Sequence, residues 1–378
     1  MKKFLTAHFN LMRNSKFFLV FLSSIFYILY SAPVALAATL YFYPQNLDVF
    51  QGENVVLEVR LNTDGETINA LEVEGGLAGE NMTIDSADTS NSLVRIFIEP
   101  ARTDGKKFRF IGGAPGGFNG VGIIGRLNLT ALATGNNAIS FNEPVKIFTN
   151  SEKATQSAVK FLGATFNVID KPEGYIELSS RTHAKQNAWH NAKEVNIHWD
   201  LAPGAEYSYL VSLDQTAVPD EIADKPAGDK LWLGDIALND LTDGIYYFTV
   251  KEIGSHIVSR YSIFQDVTPP EWVSITLNKG TPETENKSYV SFLAKDSTSG
   301  IDYYEIKIDD GIFEQVPPPN YIVNKTDFRR IVIKAYDRAG NTVEQSIETK
   351  GGNYSVWIGS AFVILIIFSI FIIRFRKI

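Results

Sequence analysis

Apolar and polar residues alternate over many short segments of the chain. Within residues 54–63, Val55 and Leu57 fall on one side of an extended backbone. Glu58 and Arg60 fall on the opposite side. This period of two predicts a half-buried β-strand. Further segments that we interpret as strands are 92–100, 106–113, 122–132, 194–201, 206–214, 230–238, 244–253, 288–296, 300–311 and 329–341.

Turn and linker signals separate these segments. Residues 171–174 (Lys-Pro-Glu-Gly) and 267–270 (Val-Thr-Pro-Pro) have the composition of linkers, and consecutive prolines stiffen a chain. Many short strands with turn residues between them predict an all-β fold of sandwiches or barrels. We therefore predict three tandem β-sandwich domains, at residues 38–170, 171–266 and 267–350.

A glycine-rich stretch lies at residues 112–122 (Gly-Gly-Ala-Pro-Gly-Gly-Phe-Asn-Gly-Val-Gly). A phosphate-binding loop would need a following helix and a Lys-Ser/Thr pair, and the sequence has neither at this place. We therefore interpret the stretch as a flexible surface loop.

The first 37 residues have the pattern of a secretory signal peptide. Basic residues precede an apolar run at 17–30, and small residues follow at 35–37. We predict that residues 1–37 are a signal peptide cleaved between Ala37 and Ala38. An uncleaved signal anchor is the alternative. With either a cleaved signal peptide or an uncleaved anchor, we expect the segment that follows to be exported.

The other end has the pattern of a membrane anchor. Residues 355–373 carry no charge, and this length matches the hydrocarbon core of a bilayer as one helix. Trp357 suits one interface, and a basic tail is expected to stay in the cytoplasm. The basic residues of this tail are Arg374, Arg376 and Lys377. We predict a single transmembrane helix within residues 351–378, which places the bulk of the chain outside the cell membrane.

Composition excludes several kinds of chemistry. The chain has no cysteine, so its domains cannot form disulfides and must be held together by packing. Thiol catalysis and cysteine-ligated metal are excluded for the same reason. The net charge of −8 argues against a nucleic-acid partner, because phosphates require a basic surface.

Metal ligands are sparse. We expect structural or surface roles for the histidines of the exported part, namely His183, His190, His198 and His256. Carboxylates in loops could ligate Ca²⁺, and the third domain has the candidates Asp296, Asp302, Asp309, Asp310 and Asp337. Because their spacing is not that of an EF-hand, we interpret them as solvated turn acids, with Ca²⁺ as the alternative. No cofactor is predicted.

The sequence does not favour an enzyme. Metalloprotease and serine-hydrolase motifs do not occur in the required context. A glycosidase needs two carboxylates facing each other across a cleft. Close acid pairs do occur, at Glu72 and Glu74 and at Asp220 and Glu221. We predict that the chain is not an enzyme and has no catalytic residues.

Tryptophans are the candidates for ligand stacking. Trp199 lies in an alternating segment and is predicted to lie in a sandwich core. Trp189 lies among Asn, His and Ala residues, outside any obvious strand. We therefore retain Trp189 as a candidate for stacking on a sugar ring.

The second and third domains resemble bacterial fibronectin-III or immunoglobulin-like surface repeats. The stretches that carry this resemblance are Trp189-His190-Asn191, Trp199-Asp200, 241–248, 266–270, 296–301 and Ala335-Tyr336-Asp337-Arg338-Ala339-Gly340-Asn341. The resemblance implies immunoglobulin-like sandwiches, an architecture that hosts many functions.

The first domain resembles a cohesin domain, from the superfamily shared with cellulose-binding β-sandwiches. The stretches that carry this resemblance are 51–55, 68–73, 125–131, 135–141 and 164–168. A departure occurs at residues 149–153 (Thr-Asn-Ser-Glu-Lys), where many relatives have an Asp-Gly-rich turn. The resemblance implies a jelly-roll sandwich that binds a polysaccharide or a dockerin-like protein module.

These observations together predict a non-catalytic cell-surface adhesion or scaffold protein. The cohesin-like domain would be the binder, and the two repeats would form a stalk that lifts it on the order of 100 Å from the membrane. Two alternatives remain open. One is a structural component of the cell envelope with no specific ligand, and the other is a surface glycosidase.

Overall fold

A computed structural model describes residues 37–142, 145–153, 155–224, 234–325, 327–350 and 353–357. These residues form an all-β structure in which strands assemble into three successive two-sheet units. We call them unit one, unit two and unit three. The predicted all-β architecture is therefore confirmed for the described part of the chain.

Unit one contains thirteen strands. They are β1 (Ala38–Tyr43), β2 (Asn46–Phe50), β3 (Asn54–Asn62), β4 (Ile68–Leu77), β5 (Met82–Asp88), β6 (Ile96–Phe97), β7 (Arg102–Thr103), β8 (Lys107–Phe118), β9 (Val121–Ala131), β10 (Gly135–Phe141), β11 (Lys146–Thr149), β12 (Val159–Leu162) and β13 (Ala164–Ile169).

Two sheets of unit one face each other. One has the order β12-β1-β3-β9-β5, and the other has the order β2-β13-β10-β4-β8-β6, with β11 beside β4 and β7 beside β8. The pairs β1–β12 and β2–β13 are parallel, so the last strands of the unit close both sheets against the first. Aromatic rings fill the space between the sheets: Phe42 stacks on Phe141 with ring centroids 4.2 Å apart.

The glycine-rich stretch is not a surface loop. Strand β8 continues through it to Phe118 and pairs with β4 inside the sheet. Gly112 is needed there, because a Cβ atom would lie 2.5 Å from the carbonyl oxygen of Ile96. Gly116 and Gly117 have φ angles of 87° and 81°, which favour glycine. The prediction failed because glycine here permits close approach of strands rather than mobility.

The described residues of unit two contain six strands. They are β14 (Trp189–His190), β15 (Val195–His198), β16 (Tyr207–Ser212), β17 (Asp235–Leu238), β18 (Gly244–Glu252) and β19 (Ser259–Gln265). Strands β14-β19-β18-β16 form one sheet, and β15 pairs with β17 in the other. Trp199 is fully buried between them, with its ring centroid 5.8 Å from that of Phe248, which confirms its predicted core position.

Unit three contains eight strands and one 3₁₀ turn, η1 (Pro282–Thr284). The strands are β20 (Glu271–Asn278), β21 (Tyr289–Lys295), β22 (Ile301–Ile308), β23 (Glu314–Val316), β24 (Asn320–Ile322), β25 (Arg330–Asp337), β26 (Thr342–Lys350) and β27 (Asn353–Trp357). The sheet orders are β20-β21-β24 and β23-β22-β25-β26-β27. Phe292 and Tyr304 lie between them, with ring centroids 5.1 Å apart.

A buried apolar seam joins the units. Val56 lies on the outer face of β3, where the alternation places polar residues, yet it is buried. It packs in one cluster with Trp189, Tyr247 and Phe264 of unit two, and Ala339 of unit three packs against the same cluster. Gln215 of unit two adds a hydrogen bond from its Nε2 to the carbonyl oxygen of Val56.

Unit three also contacts unit one directly. Arg338 follows β25 and donates from Nη1 to Asp88 Oδ1 at 2.8 Å. Asp88 is buried at the end of β5 and also accepts hydrogen bonds from the backbone N–H and the hydroxyl of Ser90. The three units therefore enclose a common junction. A linear stalk, as the linker composition predicts, would lack this contact.

The first linker is docked on unit one. Tyr175 donates its hydroxyl to Glu53 Oε1 at 2.9 Å and packs edge-on against Phe50, with ring centroids 5.0 Å apart. Burial raises the pKa of Glu53, and the hydrogen bonds from Tyr175 and the Phe50 N–H oppose that effect. The segment at residues 171–174 thus leads into a fixed contact rather than a free spacer.

A buried histidine fixes a polar network in unit two. Gln265 donates from Nε2 to the carbonyl oxygen of Ala192 at 2.9 Å, so its Oε1 faces His183. His183 therefore donates its Nε2–H to that oxygen at 2.9 Å, and its Nδ1 accepts from the Thr182 hydroxyl at 3.1 Å. Burial, with a smaller effect from His190, lowers the pKa of His183 to about 4. The structural role predicted for His183 is confirmed.

We expect Arg338→Met to lower the free energy of unfolding by about 1–2 kcal/mol, because it leaves buried Asp88 without its cation while Arg338 itself is partly solvated. Urea denaturation of the full chain measures this. Arg102→Met is the control, since Arg102 pairs with Glu99 on the surface and should change stability by less than about 0.5 kcal/mol. Equal losses in the two variants would contradict a buried junction.

We expect acid to destabilise the protein through His183. The unfolded chain binds a proton near pH 6.5, whereas folded His183 binds it only near pH 4. The contribution of neutral His183 to stability is therefore fully present above pH 6.5 and is lost as the pH falls toward 4. His183→Gln keeps a donor and removes the titration, so unfolding measured at pH 7 and pH 5 should depend less on pH. An unchanged pH dependence would refute this assignment.

Candidate functional site

An exposed polar surface crosses strands β2, β13 and β10 of unit one. Thr165 lies opposite Asn46 and donates Oγ1 to Asn46 Oδ1 at 2.6 Å. Two residues along, Asn167 lies opposite Asp48 and donates from Nδ2 to Asp48 Oδ1 at 3.0 Å. Asn136 extends this second row on β10. Because residues two apart on a strand share a face, these side chains point together to solvent.

The two rows border a groove of about 530 Å³, which we call the polar groove. Small residues, Ala138 and Gly79 among them, also line it. Asn137 also lines it and accepts hydrogen bonds at Oδ1 from the backbone N–H groups of Gly79 (3.0 Å) and Ala138 (2.8 Å). Its buried Nδ2 has no partner within the described residues. The polar groove thus combines exposed acceptors and donors with one unused donor.

A second depression, of about 480 Å³, shares Asn46 with the polar groove and is lined by Tyr41 and Tyr43. Tyr43 is fixed in place, because its hydroxyl donates to Asp214 Oδ1 at 3.0 Å and the Arg60 guanidinium lies 4.4 Å from its ring centroid. Burial and the hydrogen bond to Asp214 raise the pKa of Tyr43, so it stays neutral. Tyrosine rings present both an apolar face and a polar tip, which suits binding surfaces.

The polar groove is suited to recognition rather than to proton transfer. Its polar side chains are amides, a hydroxyl and the carboxylate of Asp48, and the apolar side chains of Leu47 and Phe166 also line it. The hydrogen bonds from Thr165 and Asn167 fix two of them in place before any ligand arrives. A few well-placed polar groups in a concave surface provide orientation and specificity for a ligand.

The structure also brings three carboxylates together between unit two and unit three. Oxygens of Asp266, Asp296 and Asp337 lie within 4.8 Å of one another. The third-domain acids Asp296 and Asp337 are two of the five Ca²⁺ candidates predicted from the sequence. Asp266 is the last residue of the predicted second domain and directly precedes the predicted linker at residues 267–270.

The remaining candidate acids of unit three are not part of this cluster. Asp309 accepts hydrogen bonds from the Lys325 ammonium and from the backbone N–H groups of Arg329 and Arg330, which lower its pKa to about 2. Asp302 and Asp310 are exposed. Asp309 and Asp310 lie in the turn after β22, as interpreted from the sequence, whereas Asp302 lies within the strand itself.

Comparisons with known proteins show likeness in structure only. No protein-family profile and no curated protein sequence matches the chain. A non-cellulosomal cohesin from the archaeon Archaeoglobus fulgidus is 12% identical over 36% of this chain and 94% of its own, with a TM-score of 0.31. A cohesin module of a Clostridium perfringens family 33 glycoside hydrolase is 11% identical over 36% of this chain and 97% of its own, with a TM-score of 0.29. A titin structure is 12% identical over 82% of this chain and 96% of its own, with a TM-score of 0.28.

At these identities and TM-scores the likeness assigns neither a family nor a ligand. The arrangement as β-sandwich units follows from the strand pairings of the chain itself.

Trp189 does not offer a face to a ligand. It is 8% exposed, and its ring lies edge-on to Phe264 with centroids 5.2 Å apart. The same ring packs in the seam with Val56 of unit one. We therefore replace its predicted role in sugar stacking with a role in joining the units. No pattern in the sequence around Trp189 indicates this role, because the contact is made by a different unit.

The acid pairs noted in the sequence are held by basic side chains. Glu72 accepts hydrogen bonds from Lys146 and Arg109, and both lower its pKa. Glu221 accepts hydrogen bonds from Lys251 and the Gly254 N–H, which likewise lower its pKa. A lowered pKa keeps a carboxylate ionised at neutral pH, which does not suit a general acid.

The features predicted at the two chain ends lie mainly outside the described residues. Ala37 precedes β1, and Ala38 is its first residue and is buried. Trp357 ends β27, whereas Arg374, Arg376 and Lys377 are not described. Within the described ranges no helix is long and apolar enough to cross a membrane. Cleavage and anchoring therefore stay predictions.

The residues of the polar groove are not among the site residues predicted from the sequence. A signal exists in part, because residues 46–50 and 164–169 alternate and place Asn46, Asp48, Thr165 and Asn167 on outward positions. What brings the two segments together is a parallel pairing across 119 residues. No local pattern indicates that pairing.

Proposed function

We propose that the chain is a non-catalytic surface scaffold or adhesion protein that binds its partner through the polar groove of unit one. The observation that carries this proposal is the pair of exposed polar rows, oriented by cross-strand hydrogen bonds and bordered by a tyrosine-lined depression. Such a surface is preorganised, so less conformational entropy is lost when a ligand binds.

A polysaccharide is the first candidate ligand. Amide, hydroxyl and carboxylate groups can both donate to and accept from sugar hydroxyls. Tyr41 is only partly buried and lies in the depression that adjoins the groove at Asn46, where its ring could cover an apolar sugar face. This combination of polar groups with an aromatic ring supports a hydroxyl-rich polymer.

A dockerin-like protein module is the second candidate. It is supported by the cohesin-like sequence of the first domain and by the breadth of the surface, which extends over three neighbouring strands. A protein partner would use the same exposed rows, with backbone amides in place of sugar hydroxyls.

The proposal of a non-catalytic role rests on what the acid groups do. Glu72, Glu221 and Asp309 accept hydrogen bonds from lysine or arginine side chains, and each has a lowered pKa. These carboxylates act as structural acceptors. The cell-surface location rests on the signal-peptide and anchor patterns of the sequence.

We expect Asn136→Ala combined with Asn167→Ala to weaken ligand binding about fivefold or more, since each lost hydrogen bond costs about 0.5–1.5 kcal/mol. Glycan arrays and a panel of dockerin-bearing proteins, both probed with the full chain, identify the ligand class. Asn142→Ala is the matched control, because Asn142 is equally exposed in unit one but lies outside the groove. Loss of binding in the control, or no binding on either panel, would refute the proposal.

We expect the mature chain to begin at Ala38 and to be degraded by protease added to intact cells. N-terminal sequencing after expression of the full chain in a bacterial host tests the first point, and immunoblotting of protease-treated cells tests the second. A mature chain that begins at Met1 would contradict cleavage. A chain protected until the cells are lysed would contradict surface exposure.

A further inference from the structure

Three strand ends meet where unit two joins unit three. Asp266 follows β19 of unit two, Asp296 follows β21, and Asp337 ends β25. Their carboxylates converge to within 4.8 Å. Asp266 and Asp337 are 0% and 2% exposed, so this is a buried cluster rather than a group of surface acids.

The backbone presents these carboxylates in fixed orientations. Asp296 Oδ1 accepts from the N–H groups of Thr298 (3.0 Å) and Gly300 (2.7 Å). Asp337 Oδ1 accepts from the Asn341 N–H at 2.8 Å. These bonds satisfy some of the lone pairs of the carboxylates and leave others facing the shared space.

The cluster has no basic counterpart. None of the three acids forms an ion pair with a lysine, arginine or histidine in the described part of the chain. Arg338 is next to Asp337 in sequence, but its guanidinium extends to Asp88 of unit one. Because their oxygens lie within 4.8 Å of one another, the three carboxylates repel one another when they are ionised.

A neutral oxygen also belongs to this cluster. Ser299 is fully buried, and its backbone N–H donates to Asp266 Oδ2 at 3.0 Å. Its hydroxyl lies beside the same carboxylate. That hydroxyl has no hydrogen-bond partner of normal geometry among the described residues. A buried hydroxyl without a partner is uncommon, and this one lies beside Asp266 of the acid cluster.

We propose that Asp266, Asp296 and Asp337 bind one divalent cation of the Ca²⁺ class, with the Ser299 hydroxyl as a neighbouring oxygen donor. The donor set consists of oxygens alone, which suits a hard cation and not a thiolate- or imidazole-seeking metal. Ca²⁺ accepts six to eight oxygens in flexible geometry, and backbone carbonyls or water would complete its shell. Two positive charges offset most of the repulsion among the three carboxylates.

The cation would connect the two units. One ligand comes from unit two and two come from unit three, and Asn341 already links them by donating from Nδ2 to the Asp266 carbonyl at 2.9 Å. Binding would therefore fix the orientation of unit three relative to unit two. This proposal is independent of the polar groove, which lies in unit one.

Calorimetric titration of the chelator-treated full chain with CaCl₂ tests the proposal, with MgCl₂ as the comparison. We expect one Ca²⁺ per chain and a rise in Tm on binding. Asp296→Asn should bind Ca²⁺ at least tenfold more weakly, because it removes one ligand charge. Asp310→Asn is the matched control and should bind as the natural chain does, because Asp310 is an exposed acid of the same unit outside the cluster.

Stability without Ca²⁺ separates a cation site from a purely structural cluster. If repulsion is relieved, chelator-treated Asp296→Asn should have a Tm no lower than that of the natural chain. A lower Tm together with unchanged Ca²⁺ affinity would show that Asp296 only supports the turn. Absence of binding heat and of any Tm shift for the natural chain in millimolar CaCl₂ would overturn the proposal even if the variant did not fold. Ser299→Ala provides a second variant, with an expected severalfold loss of affinity.

Discussion

The arrangement of the three units depends on the burial of one side chain that the strand pattern directs outward. Val56 lies on the face of β3 that also holds Glu58 and Arg60, and a single apolar residue there would meet water in an isolated sandwich. Unit two covers it with Trp189, Tyr247 and Phe264. Because the hydrophobic effect is proportional to the apolar area removed from water, this contact favours one docked arrangement over an open chain of units.

Local pattern predicted much of the strand content and little of the pairing. Residues 54–63 and 244–253 alternate clearly, and each contains a strand that starts and ends within one residue of the predicted bounds. The strand within residues 329–341 starts at Arg330 and ends at Asp337, four residues before the predicted bound. The parallel pairs β1–β12 and β2–β13 join segments more than a hundred residues apart, so no short window contains their signal. The prediction for the glycine-rich segment was wrong for a related reason, because Gly112 is required by the close approach of a neighbouring strand.

The same limit applied to the functional positions. Asp296 and Asp337 could be chosen as ligand candidates because both lie in turn-rich motifs of unit three. Asp266 could not, since its role depends on how unit two ends against unit three. The prediction for Trp189 was wrong for a related reason. Its polar sequence context suggested an exposed ring, whereas a neighbouring unit covers that ring. Contacts between units were thus the main source of error. The alternation of apolar and polar residues in a strand predicts burial within its own sandwich and not burial against another unit.

Because of the contact between Arg338 and Asp88, each of the three units contacts the other two. Unit one packs against unit two, unit two continues into unit three, and unit three contacts unit one. In this arrangement no sandwich is structurally independent of the other two. Excising unit one, for example, would uncover the apolar seam on unit two and leave Arg338 of unit three without its partner Asp88. Recombination that exchanged a single domain would expose the same interfaces to water. Recombination that exchanged all three domains together would keep these interfaces buried.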